Sequence, residues 1–170
     1  MRLFIAVDLS EKMKDQLEQY IIGLKKKGAA GNFSRRANLH ITLSFIGETD
    51  KQGAAEAALS RINFTPFKFR LTEAGRFPGR NGDTVYIGID SSGSMEKLAE
   101  GIRNELIREG FVLENRKFTA HLTLGREIRG YDKIKDSAVP SLEGEVKELS
   151  LMKSERINGV LKYTPIYIKR

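Results

Sequence analysis

The sequence predicts an internally duplicated α+β protein with two lobes, in which two antiparallel sheets and their outer helices surround a central cleft. Three observations predict this fold. One strand-helix-strand pattern occurs twice, both copies end in the same His-x-Thr sequence, and no proline-rich or low-complexity linker divides the 170 residues. A chain of this length suits one domain with a substantial core. We therefore predict a single bilobal domain that covers residues 1–170.

The first copy of the pattern runs from an apolar strand at Leu3–Asp8 to a second strand at Leu39–Ile46. Ser10 is a good helix N-cap, because its hydroxyl can accept a hydrogen bond from an unpaired main-chain N–H of the first turn. Gly28 is typical of the position just after a helix end. Between these two residues, apolar side chains recur at the spacing of one helix face, at Met13, Leu17, Ile21 and Leu24.

The second copy has the same order, with a strand at Thr84–Asp90, a helix that ends before Gly110, and a strand at Phe118–Leu124. Its helix is predicted from apolar residues at helical spacing, which are Leu98, Ile102 and Leu106. The two histidines are 81 residues apart, as are two helix leucines, so the copies are offset by about 81 residues. Outside the copies we predict one helix at Ala54–Ile62 and three strands, at Phe64–Leu71, Val146–Met152 and Tyr163–Ile168.

The two His-x-Thr sequences contain the only histidines of the chain, His40 and His121. Successive side chains of a strand point to opposite faces, so each histidine should share a face with the threonine two residues on, Thr42 or Thr123. By the same alternation, Phe45 should face the core. Pseudo-two-fold symmetry would place the two strands opposite each other across the cleft. The sequence therefore predicts one site with two imidazoles and two hydroxyls.

Two imidazoles that face one reacting atom suit an in-line displacement at phosphorus. The ordinary histidine pKa of about 6.5 makes both protonation states available near neutral pH. One imidazole can remove a proton from water while the other protonates the leaving oxygen. The threonine hydroxyls can donate hydrogen bonds to phosphate oxygens, where negative charge grows in the transition state. Such a mechanism requires neither a metal nor another cofactor.

Three other interpretations of these residues are weaker. Ordinary strand histidines with satisfied hydrogen bonds would explain neither the repeated threonine nor the lack of any other histidine. A metal site would need further ligands, and no His-x-His, His-Glu-x-x-His or clustered aspartate sequence lies nearby. The chain has no cysteine and no Gly-x-Ser-x-Gly sequence, which excludes a thiolate site and argues against serine hydrolase chemistry.

The charge of the chain favours a polyanionic partner such as nucleic acid or a phosphorylated substrate. It has 29 lysines and arginines against 22 aspartates and glutamates, for a net charge of +7. Three arginines are candidate phosphate ligands: Arg126 just beyond the second motif, and Arg35 and Arg36 before the first. The apolar start of the chain is too short for a signal peptide or a membrane span. We therefore expect no membrane contact and, with no cysteine, a cytoplasmic protein.

At these residues the chain resembles the two-histidine phosphoesterase superfamily, and within it the bacterial and archaeal RNA 2′,3′-cyclic phosphodiesterases, also called 2′-5′ RNA ligases. The resemblance runs nearly end to end and includes Arg2–Asp8, Asn38–Leu43, Phe45–Glu48, Phe77-Pro78, Val85–Gly88, His121–Arg126 and Tyr163–Pro165. Two His-x-Thr sequences within this framework are far more specific than one would be.

The resemblance implies hydrolysis of a 2′,3′-cyclic phosphate at an RNA end to a 2′-phosphate, in a basic cleft between two lobes. It implies that His40 is the general acid that protonates the departing 3′-oxygen and that His121 is the general base that activates water. Thr42 and Thr123 would hold the phosphate, and Arg126 matches a common arginine of the family. Run backwards, the same chemistry would join RNA ends without ATP as a secondary activity. We expect the enzyme to act on RNA ends as a monomer.

Three positions depart from the usual family pattern. Phe33 stands in place of a tryptophan, while Arg36 and Ala120 each stand in place of a proline. These changes leave the four motif residues intact but weaken any inference about nucleotide preference. Two other functions fit the residues: a phosphodiesterase for small cyclic nucleotides or ADP-ribose cyclic phosphate, and a non-catalytic module that binds RNA ends. A steep loss of affinity with added salt would favour RNA over a small nucleotide.

Overall fold

The structure, a computed structural model, describes residues 1–170 as three helices and nine strands. The helices are α1 (Glu11–Lys26), α2 (Gln52–Ser60) and α3 (Ser94–Arg108). The strands are β1 (Arg2–Asp8), β2 (Ala30–Phe33), β3 (His40–Glu48), β4 (Phe67–Phe77), β5 (Asp83–Asp90), β6 (His121–Arg129), β7 (Glu143–Val146), β8 (Leu149–Ile157) and β9 (Val160–Lys169). No helix combines the length and the apolar composition that a membrane crossing needs.

The strands form two antiparallel sheets, one in each lobe. The first sheet has the order β3-β1-β8-β9 and the second has the order β2-β6-β5-β4-β7. This arrangement confirms the predicted α+β class with two antiparallel sheets. β2 follows α1 in the chain but pairs with β6, so it fastens the first half of the chain to the second sheet.

Both sheets contain a strand-helix-strand unit with the same topology. In the first sheet, β1 and β3 pair antiparallel and α1 lies between them in the chain. In the second sheet, β5 and β6 pair antiparallel and α3 lies between them. The topology agrees with a repeat, and the offset of about 81 residues within one domain stays a prediction.

The two long helices form for the predicted reasons. The Ser10 hydroxyl caps α1 by accepting a hydrogen bond from the main-chain N–H of Met13 at 3.2 Å. Gly28 follows the helix end at a φ of 108°, in the left-handed region that favours glycine. The apolar faces of both helices enter one continuous core, with Met13, Leu17, Ile21 and Leu24 from α1 and Met95, Leu98, Ile102 and Leu106 from α3.

A β-bulge in β3 reverses its side-chain alternation after the histidine motif. Ile5 of β1 pairs with Ser44 and Ala6 pairs with Thr42, so the register shifts by one residue and Leu43 of β3 has no partner in this pairing. Phe45 therefore pairs with Phe4, and its side chain is 58% exposed. The Phe4 ring also contacts His40, so Phe45 lies on the face of the sheet that carries the histidine. The prediction that Phe45 faces the core is wrong, because the period of two holds only while the register is constant.

Two short strands were not predicted, and several predicted boundaries differ from those of the structure. The strand predicted at Val146–Met152 falls across the end of β7 and the start of β8. β2 and β7 are four residues each, contain a glycine and have no clear alternation of apolar and polar residues. They form because each completes the edge of a sheet, against β6 and β4 respectively. Residues 111–120 form neither helix nor strand, so β6 begins at His121 rather than at Phe118.

Candidate active site

The two histidines occupy the same position on two strands of different sheets. His40 is the first residue of β3 and His121 is the first residue of β6, and these strands contact each other where the sheets meet. Each histidine and the threonine two residues on are partly buried, and the residues between them enter the core. We call His40, Thr42, His121 and Thr123 the histidine site. No group of three or more His, Cys, Asp or Glu side chains in the chain is placed to hold a metal ion.

Two hydrogen bonds hold the imidazole of His40. Nδ1 lies 2.7 Å from the main-chain oxygen of Asn38, and Nε2 lies 2.7 Å from the hydroxyl oxygen of Thr42. A carbonyl oxygen can only accept, so Nδ1 carries a proton and donates it to Asn38. In the neutral imidazole Nε2 is then unprotonated and accepts from the Thr42 hydroxyl. Nε2 is therefore the nitrogen that gains or loses a proton.

His121 is fixed in the same tautomer. Its Nδ1 donates to the main-chain oxygen of Thr119 at 2.6 Å, so Nε2 is the unprotonated nitrogen of the neutral imidazole. Thr119 precedes His121 by two residues, as Asn38 precedes His40. Unlike Nε2 of His40, Nε2 of His121 has no hydrogen-bond partner in the protein. Both lobes thus orient the imidazole by a hydrogen bond from Nδ1 to a main-chain oxygen, and they differ in whether Nε2 has a hydrogen-bond partner.

Each imidazole also lies against two aromatic rings. The ring centroids of Phe4 and Tyr163 are 5.0 and 5.1 Å from that of the first histidine. Those of Phe77 and Tyr86 are 5.3 and 5.4 Å from that of the second. In both lobes one of the two rings comes from the strand that pairs with the histidine strand. These contacts restrict the rotation of both imidazoles.

Burial lowers the pKa of His40 below its ordinary value, because the charged imidazolium loses hydration. The hydrogen bond to Asn38 and the carboxylate of Asp8, which pairs with His40 across the sheet, raise this pKa. The positive charges of Arg126 and Lys14 lower it further. The Lys14 side chain is only 9% exposed, and its Nζ lies 3.0 Å from Oδ1 of Asp8. Lys14 therefore offsets part of the rise that the Asp8 carboxylate causes in the pKa of His40. The balance favours the neutral imidazole.

Arg126 belongs to β6, but its charge acts on the opposite lobe. It lowers the pKa of His40, and it opposes the rise that burial causes in the pKa of Tyr163 on β9. Its side chain is exposed and takes part in none of the ion pairs of the protein. An unpaired guanidinium beside the histidine site is available to bind a phosphate.

The two arginines before β3 have different surroundings. Arg36 donates to Glu11 at 2.6 Å and to Asp15 at 2.8 Å, both on α1. Arg35 is exposed, and both arginines line a groove of about 500 Å³ between α1 and residues 33–37 that includes neither histidine. The geometry favours a structural role for Arg36, because two carboxylates already occupy its guanidinium. It leaves Arg35 available to a phosphate outside the histidine site.

The sequence and this geometry agree with one known family. The family model described as "2′-5′ RNA ligase superfamily" matches residues 13–158. The chain belongs to the 2′-5′ RNA ligase superfamily. This membership confirms the family resemblance of the sequence.

Curated relatives in the superfamily match most of the chain. Proteins of Thermotoga maritima and Archaeoglobus fulgidus, both named RNA 2′,3′-cyclic phosphodiesterase, are 34% and 33% identical to it. The alignments cover 91% of this chain in each case, and 87% and 91% of the two relatives. The crystal structure of E. coli LigT complexed with 3′-AMP is similar with a TM-score of 0.84 and 27% identity, over 99% of this chain and 96% of that one.

Spacing along the sequence assigns no role to the four aromatic residues around the histidines. Phe4 and Tyr86 carry a detectable signal, since they lie 82 residues apart at equivalent places in the repeat. Tyr163 and Phe77 lie outside the repeat and reach the imidazoles only through the pairing of β9 and β4 in the sheets. Phe45 adds an exposed ring 6.2 Å from Phe4, which the bulge in β3 explains.

Proposed function

We propose that this protein hydrolyses the 2′,3′-cyclic phosphate at the end of an RNA and leaves a 2′-phosphate, with His40 and His121 as the acid and the base. The observation that carries the proposal is the shared tautomer of the two histidines. Nδ1 of each donates to a carbonyl oxygen, at 2.7 and 2.6 Å, and both therefore keep Nε2 for proton transfer. The names of the Thermotoga and Archaeoglobus relatives support the substrate class.

In the proposed reaction a water oxygen attacks phosphorus while the bond from phosphorus to the 3′-oxygen breaks. Nε2 of His121 takes a proton from the water, and Nε2 of His40 gives a proton to the 3′-oxygen. The product has a 2′-phosphate and a 3′-hydroxyl, and the imidazoles then regain their starting protonation from solvent. Both proton transfers use side chains of the protein, so the proposed reaction proceeds in the presence of a chelator.

The remaining residues of the proposed site bind the phosphate. Thr42 and Thr123 share a strand face with the histidines and would donate to the non-bridging oxygens, where negative charge accumulates. Arg126 would add a positive charge next to the histidine site, since its guanidinium is exposed and forms no ion pair. The net charge of +7 supports attraction of a polyanion such as RNA.

The proposed acid role of His40 depends on the bound phosphate. Burial lowers the pKa of His40, which favours the neutral form in the free protein. An anionic phosphate next to Nε2 favours the imidazolium and counteracts burial. The assignment of His40 rather than His121 as the acid comes from the family resemblance. A substrate with an activated leaving group tests this assignment, because it needs less help from the acid. We expect such a substrate to restore activity to His40→Ala more than to His121→Ala, and the opposite result would exchange the two roles.

The first test of the function is hydrolysis of a short RNA that ends in a 2′,3′-cyclic phosphate, in the presence of a chelator. We expect the intact protein to form a 2′-phosphate, and we expect His40→Ala and His121→Ala each to lose a factor on the order of 10²–10⁴ in rate. Activity that is indifferent to both histidines would contradict the mechanism. A cyclic mononucleotide assayed in parallel tests the small-nucleotide alternative. Affinity for an RNA that contacts the protein through several phosphates should fall steeply with added salt, whereas affinity for a mononucleotide should fall little.

The same site suggests a secondary ligation activity. If the 5′-hydroxyl of a second RNA replaces water, its oxygen attacks phosphorus, the 3′-oxygen leaves, and a 2′-5′ bond forms without ATP. We expect this product only at high concentrations of 5′-hydroxyl RNA, because water competes for the same phosphorus. Action as a cytoplasmic monomer stays a prediction from the sequence.

A further inference from the structure

Asn38 makes two hydrogen bonds that connect His40 to the last strand of the chain. It ends a 3₁₀ turn (Arg36–Asn38) two residues before His40. Its main-chain oxygen accepts from Nδ1 of His40 at 2.7 Å, and its side-chain Nδ2 donates to the main-chain oxygen of Leu161 at 3.0 Å. Leu161 belongs to β9, which lies at the opposite edge of the first sheet from β3. One side chain therefore ties the two edges of this sheet together.

The aromatic contacts show that the two edges meet over the histidine. Tyr163 of β9 places its ring 5.1 Å from that of His40, at an interplanar angle of 87°, and 5.0 Å from that of Phe4 on β1. Leu161 and Tyr163 are two residues apart, so the Asn38 bond holds the segment of β9 that carries the Tyr163 ring. The His40 imidazole therefore contacts both the Asn38 carbonyl and the Tyr163 ring, and the Asn38 side chain binds the strand that carries that ring.

The segment before His121 lacks an equivalent side-chain bond to the far edge of its sheet. Thr119 has the corresponding position, and its carbonyl oxygen binds Nδ1 of His121 at 2.6 Å. The Thr119 side chain is exposed and hydrogen-bonds no other residue, and residues 111–120 form neither helix nor strand. The main-chain oxygen of Ala120 accepts from Ile89 of the neighbouring strand β5 at 3.2 Å, but no side chain of this segment reaches the far edge of the sheet. The two histidines share a tautomer, and only the segment before His40 is tied by a side chain to the opposite edge strand of its sheet.

We propose that Asn38 is a positioning residue, whose side-chain amide keeps the His40 imidazole aligned by tying the start of β3 to β9. This inference rests on the proposed function, because alignment matters where Nε2 must reach the leaving oxygen. Loss of the amide keeps the Asn38 carbonyl in the chain but releases it from β9. A small displacement of a reacting group lowers the rate of the chemical step more than it weakens substrate binding.

The kinetic test compares the intact protein with Asn38→Ala on an RNA that ends in a 2′,3′-cyclic phosphate. We expect kcat to fall on the order of ten-fold to a hundred-fold with little change in KM. The control is Lys169→Ala, which removes the bond from Lys169 Nζ to the main-chain oxygen of Ser60 at 3.0 Å, at the other end of β9. This control should keep the kcat of the intact protein. An unchanged kcat in Asn38→Ala, or an equal loss in the control, would overturn the positioning role.

Nitrogen-15 NMR of the two imidazoles provides a readout that needs no substrate. In the intact protein the neutral form of both histidines should carry its proton on Nδ1. In Asn38→Ala, His40 should gain the Nε2–H tautomer while His121 keeps its spectrum, and an unchanged His40 spectrum would overturn the inference. If the intact protein fails to cleave the RNA end, the proposed function is wrong, but the spectra still decide the positioning role.

A second variant guards against misfolding of the first. Asn38→Asp keeps the size of the side chain but presents a carboxylate, which cannot donate, to the Leu161 carbonyl. We expect the same loss of kcat and the same change of the His40 tautomer. A fully active Asn38→Asp protein with an unchanged His40 spectrum would overturn the proposal.

Discussion

The hydroxyl oxygen of Thr42 lies 2.7 Å from Nε2 of His40, the nitrogen that the Asn38 carbonyl leaves free to titrate. When His40 is neutral, the hydroxyl must donate to Nε2. When His40 is protonated, Nε2 donates to the hydroxyl oxygen, and the hydroxyl proton becomes free to bind a phosphate oxygen. Protonation of His40 and phosphate binding by Thr42 should therefore favour each other.

The Thr42 hydroxyl can be removed with little change in side-chain shape. Thr42→Val should lower kcat/KM on the order of a hundred-fold, because it removes a donor aimed at the developing charge. Thr42→Ser keeps the hydroxyl and serves as the matched control in steady-state kinetics. Equal activity of the two variants would exclude the hydroxyl from the reaction.

The lowered pKa of His40 should make the protein less stable as the pH falls. Burial makes protonation harder in the folded state, whereas the unfolded chain binds the proton with the ordinary pKa of about 6.5. Above this pH neither state is protonated and His40 adds no pH dependence. Below it the unfolded state binds more protons than the folded state, so the free energy of unfolding decreases.

His40→Gln, which cannot titrate, should lose less stability than the intact protein between about pH 7.5 and pH 5. Urea unfolding of both proteins at several pH values measures this difference. If the difference in unfolding free energy is constant over the range, the pKa of His40 is not lowered in the folded protein.

Arg126 should contribute to RNA affinity through its charge. Arg126→Gln should weaken binding of the RNA and reduce the slope of log affinity against log salt by about one. The control is Arg129→Gln, which removes the same charge from an exposed residue of the same strand. Fluorescence titration at several salt concentrations measures both slopes. Equal slopes for the two variants would show that Arg126 adds only to the general charge of the surface.

The two arginines before His40 should separate into a stability effect and a binding effect. Arg36→Ala breaks the ion pairs with Glu11 and Asp15 and should lower Tm while KM for the RNA stays the same. Arg35→Ala should raise KM and keep Tm, since this exposed side chain holds no other element. Thermal unfolding and steady-state kinetics on both variants check the assignment. The reverse pattern would make Arg36 the phosphate ligand.

Several elements were predictable because short stretches of the chain determine them. The apolar spacing from Met13 to Leu24 and the Ser10 cap predict α1, and the structure has both. His40 and Thr42 are predicted to share a strand face, because side chains alternate along a strand. The repeat of this motif around His121 identifies the second half of the site for the same reason.

Contacts between distant residues were beyond the reach of these patterns. The exposure of Phe45 depends on a register shift against β1, and the salt bridges of Arg36 depend on how the turn before β3 packs against α1. The bond from Asn38 to Leu161 joins residues 123 apart in the chain. Local spacing specifies which residues share a face, because that follows from backbone geometry. Which faces meet depends on how whole strands and helices pack. In this protein that packing brings the Tyr163 ring to His40 and holds the Arg36 side chain against the carboxylates of α1.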